Sequence, residues 1–251
     1  MSYLPKGIFV TGTDTGVGKT VVTSALAWNS KQSGKKVSAM KPVQTGTDSS
    51  EFMDIEFVHR VIESDYNLDE VCPYRFSHPL APITAATLIG EKIDLERIKS
   101  CFYKLSSAYD TVIVEGAGGL LVPITDDYLM SDLASDLDLP VIIVTRPGLG
   151  TLNHTLLTVE SAKVRGLNVM GIVINHFPLN PGLVERTNPE LIIEMTKAPI
   201  LGVFPFDPEI SVENGRIGSL KEIASTSFTS ELGGSFRIQD FLKRLRLNGE
   251  G

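Results

Sequence analysis

The fold is decided by the stretch Gly12-Thr13-Asp14-Thr15-Gly16-Val17-Gly18-Lys19-Thr20, which follows an apolar run and opens a segment of helical character. Glycines let the backbone curl so that successive N–H groups point at a phosphate, and the following helix N-terminus adds partial positive charge. Lys19 can reach the β- and γ-phosphates of a nucleotide, and the Thr20 hydroxyl can hold Mg²⁺. A plain glycine-rich turn is the alternative, but the context of strand, Gly-Lys-Thr and helix favours a phosphate-binding loop.

The loop departs from the strict phosphate-loop pattern in one respect. That pattern places four residues between its first glycine and the Gly-Lys-Thr or Gly-Lys-Ser ending. Here Thr13 occupies the position of the first glycine, and Gly12 lies one residue earlier. The loop is therefore a variant, and roles from general nucleotide-binding templates do not transfer to it residue by residue.

Apolar runs rich in Val and Ile alternate with amphipathic segments on either side of this loop. Near-continuous apolar runs are typical of strands buried on both faces of a sheet. The predicted strands are Gly7–Val10, Val37–Met40, Thr111–Val114, Val141–Val144, Val169–Ile174 and Ile200–Phe204. The predicted helices are Lys19–Ser33, Asp94–Ala108 and Thr151–Arg165. The alternation predicts a single α/β domain over residues 1–251, with a mostly parallel sheet and helices on both faces.

Two segments fall outside this alternation. Thr47–Gly90 is less regular and is expected to be an insertion of helices and loops. Residues after Asp207 carry no strong strand signal, but about 236–246 show an amphipathic pattern that predicts a helix docked by its apolar face. That helix is locally basic, so binding to a membrane surface or a nucleic acid is the alternative. Its basic residues are Arg237, Lys243, Arg244 and Arg246.

Composition restricts the classes of partner. The 251 residues carry 23 Lys plus Arg against 30 Asp plus Glu, a net charge of −7, which argues against generic nucleic-acid binding. No apolar run approaches the roughly 18 residues of a membrane span, and the N-terminus has Lys6 without a secretory pattern. The two cysteines, Cys72 and Cys101, lie far apart and match no metal or disulfide pattern. We therefore expect no membrane association and a reducing, cytoplasmic location.

Polar or glycine-rich residues follow every predicted strand. Ligands of open parallel sheets bind outside the carboxyl ends of the strands, so these segments are expected to converge on one site. After the phosphate loop they are Met40–Gly46, Val114–Gly119, Thr145–Gly150, Ile174–His176 and Phe204–Asp207.

Three charged residues in and near these segments have candidate roles. Glu115 stands where an acid completes a Mg²⁺ site beside a phosphate loop. Lys41 could stabilise a transferring phosphoryl group or a developing anion, unless it is only a solvated lysine at a strand end. Asp54 could be a second Mg²⁺ acid, although acids at helix starts also simply favour the helix dipole. The four histidines show no metal-ligand spacing.

Taken together, these motifs resemble the dethiobiotin synthetase family. The matching elements span roughly residues 8 to 207 in the family's order. They are Gly12–Thr20, Lys41-Pro42-Val43-x-Thr45-Gly46, Glu115–Gly119 with Val122-Pro123, Gly148-x-Gly150-x-x-Asn153-His154, and Asn175. The resemblance implies an ATP- and Mg²⁺-dependent ligase that joins CO₂ to 7,8-diaminononanoate and closes a cyclic urea. It also implies a carbamate, a mixed carbamic–phosphoric anhydride, and a homodimer with the substrate across the interface.

The same resemblance implies roles for particular residues. Thr15, Lys19 and Lys41 would surround the carbamate and the γ-phosphate. Mg²⁺ would be held by Thr20, Asp54 and Glu115. The substrate would contact Thr45 and Gly118, and its carboxylate would contact Gly150 and Asn153 of the second subunit. The residues that would contact ATP are Gly16, Val17, Gly18, Lys19, Thr20, Val21, Asp54, Glu115, Gly116, Ala117, Gly118, Asn175, His176, Pro205, Phe206 and Asp207.

Two positions depart from the family's pattern. Thr45 stands where the family often has serine, and because either residue supplies a hydroxyl, we expect the role to persist. Gly16 stands where some members carry an acidic residue, so only its backbone N–H is expected to contribute.

Three other readings compete with this one. Dimeric ATPase switches of the partition or septum-site kind share a variant loop, but they usually carry a Lys-Gly-Gly arrangement where this chain has Thr13-Asp14-Thr15. A cobyrinate-type amidating ligase would need a glutaminase domain, for which 251 residues are expected to leave no room. A binding-only protein would bind ATP and turn nothing over.

Overall fold

A computed structural model describes residues 7–47 and 53–247, without the side chains of 246 and 247. The ends of the proposed domain 1–251 therefore lie outside it, as do Lys6, the side chain of Arg246 and part of the irregular segment Thr47–Gly90. The strands are β1 Gly7–Gly12, β2 Val37–Met40, β3 Val43–Thr45, β4 Tyr74–Phe76, β5 Thr111–Gly119, β6 Pro123–Thr125, β7 Tyr128–Leu129, β8 Val141–Thr145, β9 Val169–Phe177, β10 Ile200–Pro205, β11 Ile210–Ser211 and β12 Arg216–Ile217.

Helices fill the connections between these strands. They are α1 Lys19–Gln32, α2 Asp54–Val61, α3 Leu68–Val71, α4 Pro82–Leu88, α5 Leu95–Ala108, α6 Met130–Asp136, α7 Thr151–Val164, α8 Leu183–Thr196, α9 Leu220–Ser227 and α10 Ile238–Leu247. None of the helices among the described residues is long and apolar enough to cross a bilayer.

The alternation of these strands and helices confirms the α/β class predicted from the sequence.

The six predicted strands form one sheet in the order β10-β9-β8-β1-β5-β2. Every neighbouring pair in it is parallel. Its strands are apolar and almost fully buried, because helices cover both faces. Since all strands run the same way, their carboxyl ends lie at one edge, and β1 with the phosphate loop stands near the middle of that edge.

Five of the six sheet strands extend beyond their predicted apolar runs, and β5 and β9 extend furthest. β5 continues from Val114 through Gly119, because Gly119 pairs with Gly12 of β1. β9 continues to Phe177, which pairs with Pro205 of β10. The segments expected to follow these strands are therefore partly strand themselves, since backbone pairing with a neighbour decides where a strand ends.

The segments outside the alternation hold regular elements as well. The irregular segment contains α2, α3 and α4, and its strand β4 pairs in parallel with β3. After Asp207 the chain forms the β11–β12 hairpin, whose two-residue strands are too short to leave an alternating pattern. The α10 residue Phe241 stacks edge-on against Phe177 of β9, and Leu245 is buried.

Helix α1 carries the phosphate loop and is fixed at its far end by Asn29. The buried Asn29 Nδ2 donates to the carbonyl oxygens of Ala224 in α9, at 2.7 Å, and of Leu232, at 2.9 Å. One side chain thus satisfies two backbone acceptors that the C-terminal part of the chain brings to α1.

Replacing Asn29 with alanine should lower the free energy of unfolding by about 2–4 kcal/mol, because two buried carbonyls lose their donor. Denaturant unfolding measures this, with exposed Asn180→Ala as the matched control, which should change stability by less than about 0.5 kcal/mol. Equal stability of the two variants would contradict this role of Asn29.

Candidate active site

The phosphate loop has the backbone geometry that its glycines predict. Gly16 and Gly18 have φ of 74° and 85°, a region that favours glycine, and α1 begins directly after Gly18. The Asn175 amide in β9 donates to the Val17 carbonyl oxygen at 3.0 Å, which ties the loop to the neighbouring strand ends. The loop therefore leaves the N–H groups of the first turn of α1 directed at the sheet edge.

A cavity of about 500 Å³ opens beside this loop at the carboxyl edge of the sheet. Most of the residues assigned to a site from the sequence line it. They are Thr15, Gly16, Gly18, Lys19, Thr20, Val21, Lys41, Thr45, Asp54, Glu115, Ala117, Gly118, Asn175, His176, Pro205, Phe206 and Asp207. Val17, Gly116, Gly150 and Asn153 do not line it.

The centre of the cavity is an ion cluster built by strand register. Met40 pairs with Val114 across β2 and β5, so the next residues, Lys41 and Glu115, are neighbours. Lys41 Nζ donates to Glu115 Oε1 at 2.7 Å and also to Asp54 Oδ2. The Thr20 hydroxyl donates to the same Glu115 oxygen at 2.9 Å.

Asp54 reaches the cluster because α2 starts beside it. Asp54 is the first residue of that helix, where a carboxylate also favours the helix dipole. Glu56, in the same turn, accepts from the Met53 N–H at 3.0 Å and fixes the start of the helix. Asp54 therefore lies at a helix start, where its charge favours the dipole, and also pairs with Lys41 in the cluster.

Charges within the cluster set its protonation. Burial alone would lower the pKa of Lys41, but the charges of Asp54 and Glu115 outweigh burial and raise it above its ordinary value. Burial likewise acts to raise the pKa of Asp54, yet the charge and hydrogen bond of Lys41 hold it below its ordinary value. Lys41 is therefore an ammonium and Asp54 a carboxylate at neutral pH.

Lys19 has the opposite environment. Burial lowers its pKa to about 8, and the positive charge of Lys41 acts in the same direction. Its ammonium has the Asp14 carbonyl oxygen as an acceptor at 3.3 Å. The charges of Glu115, Asp54 and Asp14 act to raise this pKa but do not outweigh burial. A phosphate beside Lys19 would add negative charge and would raise its pKa again.

The oxygen donors of Thr20, Asp54 and Glu115 form a small, hard ligand set. Mg²⁺ is typically held by one or two carboxylates together with substrate phosphates, so this donor set fits the ion. The described residues include no group of three or more His, Cys, Asp and Glu side chains that could hold a metal without such help. Both cysteines are free thiols.

The far end of the cavity is shaped by β9, β10 and the hairpin. Asn175 is buried, and the His176 ring lies edge-on to the half-exposed Phe206 at 5.9 Å between centroids. The Asp207 carboxylate accepts from the Ser219 hydroxyl at 2.6 Å and from the Ser219 and Glu209 N–H groups. The Asp207 carboxylate is therefore engaged in linking the two ends of the hairpin, and only the backbone of Asp207 is available to a ligand.

Several lining residues were missed from the sequence. Gln44 hydrogen-bonds Asp54, and its Oε1 is buried with no partner among the described residues. Its position inside the Lys41–Gly46 segment was the signal that could have found it. Gly46 and Phe204 also line the cavity and lie in strand-end segments that the sequence indicated. The others carry no motif; the insertion supplies Pro79, α9 supplies Ile223, and the hairpin segment supplies Ile210, Ser211, Val212 and Glu213.

A second cavity of about 420 Å³ meets the first at Thr15. Its walls are the phosphate loop, residues Gly119–Val122, and Leu157, Thr158 and Ser161 of α7. Neither Gly150 nor Asn153, at the start of α7, lines either cavity of its own chain.

Sequence comparison decides the family. An ATP-dependent dethiobiotin synthetase of Bacillus velezensis is 41% identical over 224 residues, which cover 89% of this chain and 96% of that protein. The enzyme of the same name from Bacillus licheniformis is 46% identical over 201 residues, covering 80% and 86%. The chain belongs to the dethiobiotin synthetase family. It is accordingly an ATP-dependent ligase, and a family profile described as an AAA domain matches residues 6–214.

Solved structures place the dethiobiotin synthetase chain in a wider fold group. A chain of the MinC–MinD cell division protein complex from Aquifex aeolicus matches with a TM-score of 0.54 at 16% identity, over 98% of this chain and 97% of that one. A ParA family ATPase from Chlorobium tepidum matches with a TM-score of 0.52 at 16% identity, over 96% and 99%. These likenesses show a phosphate-loop ATPase fold and leave the chemistry to the site.

Two glycine substitutions separate backbone strain from ligand space. Gly16→Ala places a Cβ in open space, so it should cost only the left-handed conformation, about 1–2 kcal/mol. Gly18→Ala makes its Cβ clash with Asn175 Nδ2, so it should destabilise by about 1–3 kcal/mol more and displace Asn175. Thermal unfolding and titration with ADP measure both effects; equal losses in the two variants would contradict the close approach at Gly18.

Proposed function

We propose that this ligase makes dethiobiotin from 7,8-diaminononanoate and CO₂, with ATP as co-substrate and Mg²⁺ as cofactor. The observation that carries the proposal is the ammonium of Lys41, buried between two carboxylates beside the phosphate loop. Transfer of a phosphoryl group to a weak nucleophile needs positioning and positive charge more than covalent help from the protein. The family relation supplies the substrate class.

ATP is proposed to lie across the sheet edge. Its phosphates take the loop N–H groups, Lys19 and the Thr15 hydroxyl, and its base reaches the end where Asn175 and the segment Pro205–Asp207 lie. Mg²⁺ held by Thr20, Asp54 and Glu115 would neutralise charge on the phosphates. Lys41 then has to leave those carboxylates, which frees its ammonium for the reacting group.

The proposed reaction has three steps. One amine of the diamine adds to CO₂ and loses a proton, which gives a carbamate. A carbamate oxygen attacks the γ-phosphorus and expels ADP. Lys41 and Lys19 stabilise the negative charge on the oxygens of the phosphoryl group during its transfer. The second amine attacks the anhydride carbonyl, loses a proton, closes the ring and expels phosphate.

A second copy of the chain is proposed to complete the substrate site. The reacting end lies at Thr45 and Gly118, and the apolar part of the second cavity, at Leu121, Val122 and Leu157, suits a hydrocarbon chain. Gly150 and Asn153 face neither cavity of their own chain, which supports their action on the carboxylate of a partner's substrate. Exposed apolar residues around them suit burial in a homodimer; they are Leu149, Leu157 and Leu183.

A cytoplasmic site of action fits the two free thiols, and neither nucleic acid nor a membrane has a role in this proposal. The net charge of −7 agrees with small anionic ligands held by one local pocket instead of an extended nucleic acid.

Incubating the purified protein with diaminononanoate, bicarbonate, ATP and Mg²⁺ tests the proposal. Mass spectrometry should detect the cyclic urea, and ADP release should depend on the diamine. Lys41→Gln should lower kcat about 10²-fold or more with little change in ATP affinity, because it removes charge from the transferring group. The exposed Lys92→Gln is the matched control and should retain wild-type rates.

ADP release without diamine dependence and without cyclic urea would overturn the proposal and favour a nucleotide switch. Wild-type kcat in Lys41→Gln would leave the reaction standing but remove Lys41 from it.

A further inference from the structure

A buried cluster of threonine hydroxyls lies outside the site described above. Thr145 Oγ1, at the end of β8, is 2.7 Å from Thr151 Oγ1 and 2.8 Å from Thr155 Oγ1, both in the first turns of α7. Thr151 and Thr155 are 3.3 Å apart. A fourth hydroxyl, that of Thr13 in the phosphate loop, is 3.2 Å from Thr145.

The hydroxyl protons of this cluster can be counted. Four hydroxyls have four protons, and they make four contacts. Every contact is filled only if each hydroxyl donates once, which makes Thr13 the donor to Thr145 and leaves a closed ring among the other three. Thr145 then donates once and accepts twice, which is its full capacity. Thr145, Thr151 and Thr155 are all fully buried, so no water competes for these bonds.

The cluster joins two elements that serve different ligands. Thr13 belongs to the phosphate loop, and its N–H also donates to the Val144 carbonyl oxygen at 2.9 Å. Thr151 begins α7, directly after Gly150 and two residues before Asn153. Thr145 is the atom-to-atom connection between them, because within this cluster Thr13 touches only Thr145.

We propose that Thr145 is a positioning residue that holds the first turn of α7 against the phosphate loop, so that nucleotide on one subunit fixes Gly150 and Asn153 for the substrate carboxylate of its partner. This inference rests on the proposed function. Binding energies coupled in this way are reciprocal, so the diamine also strengthens nucleotide binding across the interface.

Valine tests the hydroxyl alone. Thr145→Val keeps the shape and the β-branching that suits a strand, but it removes the centre of the cluster and leaves Thr13 without this acceptor. Thr11→Val is the matched control: Thr11 is equally buried, in the neighbouring strand β1, and its hydroxyl has no partner among the described residues. Thr145→Ser restores the hydroxyl and should restore function.

The expected result is a split between the two substrates. Thr145→Val should raise KM for the diamine about tenfold, while the affinity for ATP measured without the diamine and kcat at saturation stay within about twofold. Thr11→Val and Thr145→Ser should match the wild type. Unchanged diamine KM in Thr145→Val, or equal changes in Thr11→Val, would overturn the inference. If Thr145→Val fails to fold, Thr151→Val removes the hydroxyl that the first residue of α7 presents to Thr145 and is expected to show the same split; absence of that split would equally overturn the inference.

Hydrogen exchange separates failure of the inference from failure of the proposed function. A non-hydrolysable ATP analogue should slow exchange of the amides of residues 151–155 in the wild type and not in Thr145→Val. Exchange that responds equally in both proteins would refute the positioning role. Absence of cyclic urea from the wild type would refute the proposed reaction, whatever the exchange shows.

Discussion

The site depends on the ion cluster of Lys41 with Glu115 and Asp54. Each charge removed from water in a protein costs several kcal/mol unless it is paired, and Lys41 and Glu115 are almost entirely buried. The pairing requires that β2 and β5 end side by side in register and that α2 start beside them. Removing one member would leave an uncompensated buried charge. The buried charges are therefore stable only in the arrangement of strand ends and helix start that pairs them.

The same edge explains how an acidic protein can serve an anionic ligand. Lys19 and the start of α1 supply local positive charge for phosphates in a chain with a net charge of −7, while Lys41 is paired with Asp54 and Glu115 in the same cavity. The structures that share this fold include a cell division protein complex and a ParA family ATPase, so the fold itself does not select ligase chemistry. That selection has to come from the side chains at the strand ends.

Much of this arrangement was predictable from the sequence, because buried parallel strands leave continuous apolar runs and glycines mark the loop. The six sheet strands and the phosphate loop are where the sequence predicts them. The extension of β5 to Gly119 was not predictable, since it comes from pairing with Gly12. Asp54 gave only a weak signal, because an acid at a helix start has the same sequence pattern whether or not the fold places a lysine beside it. The β11–β12 hairpin left no signal in the sequence, so the hairpin residues that line the far end of the cavity were not predicted.

The charges at this edge are proposed to drive ring closure through an acyl phosphate. Bicarbonate labelled with ¹⁸O tests it most directly, because a carbamate oxygen that attacks the γ-phosphorus leaves with the phosphate when the ring closes. Ring closure through an acyl phosphate predicts one labelled oxygen in the inorganic phosphate for each cyclic urea formed. Phosphate that carries no label while labelled urea accumulates would contradict it.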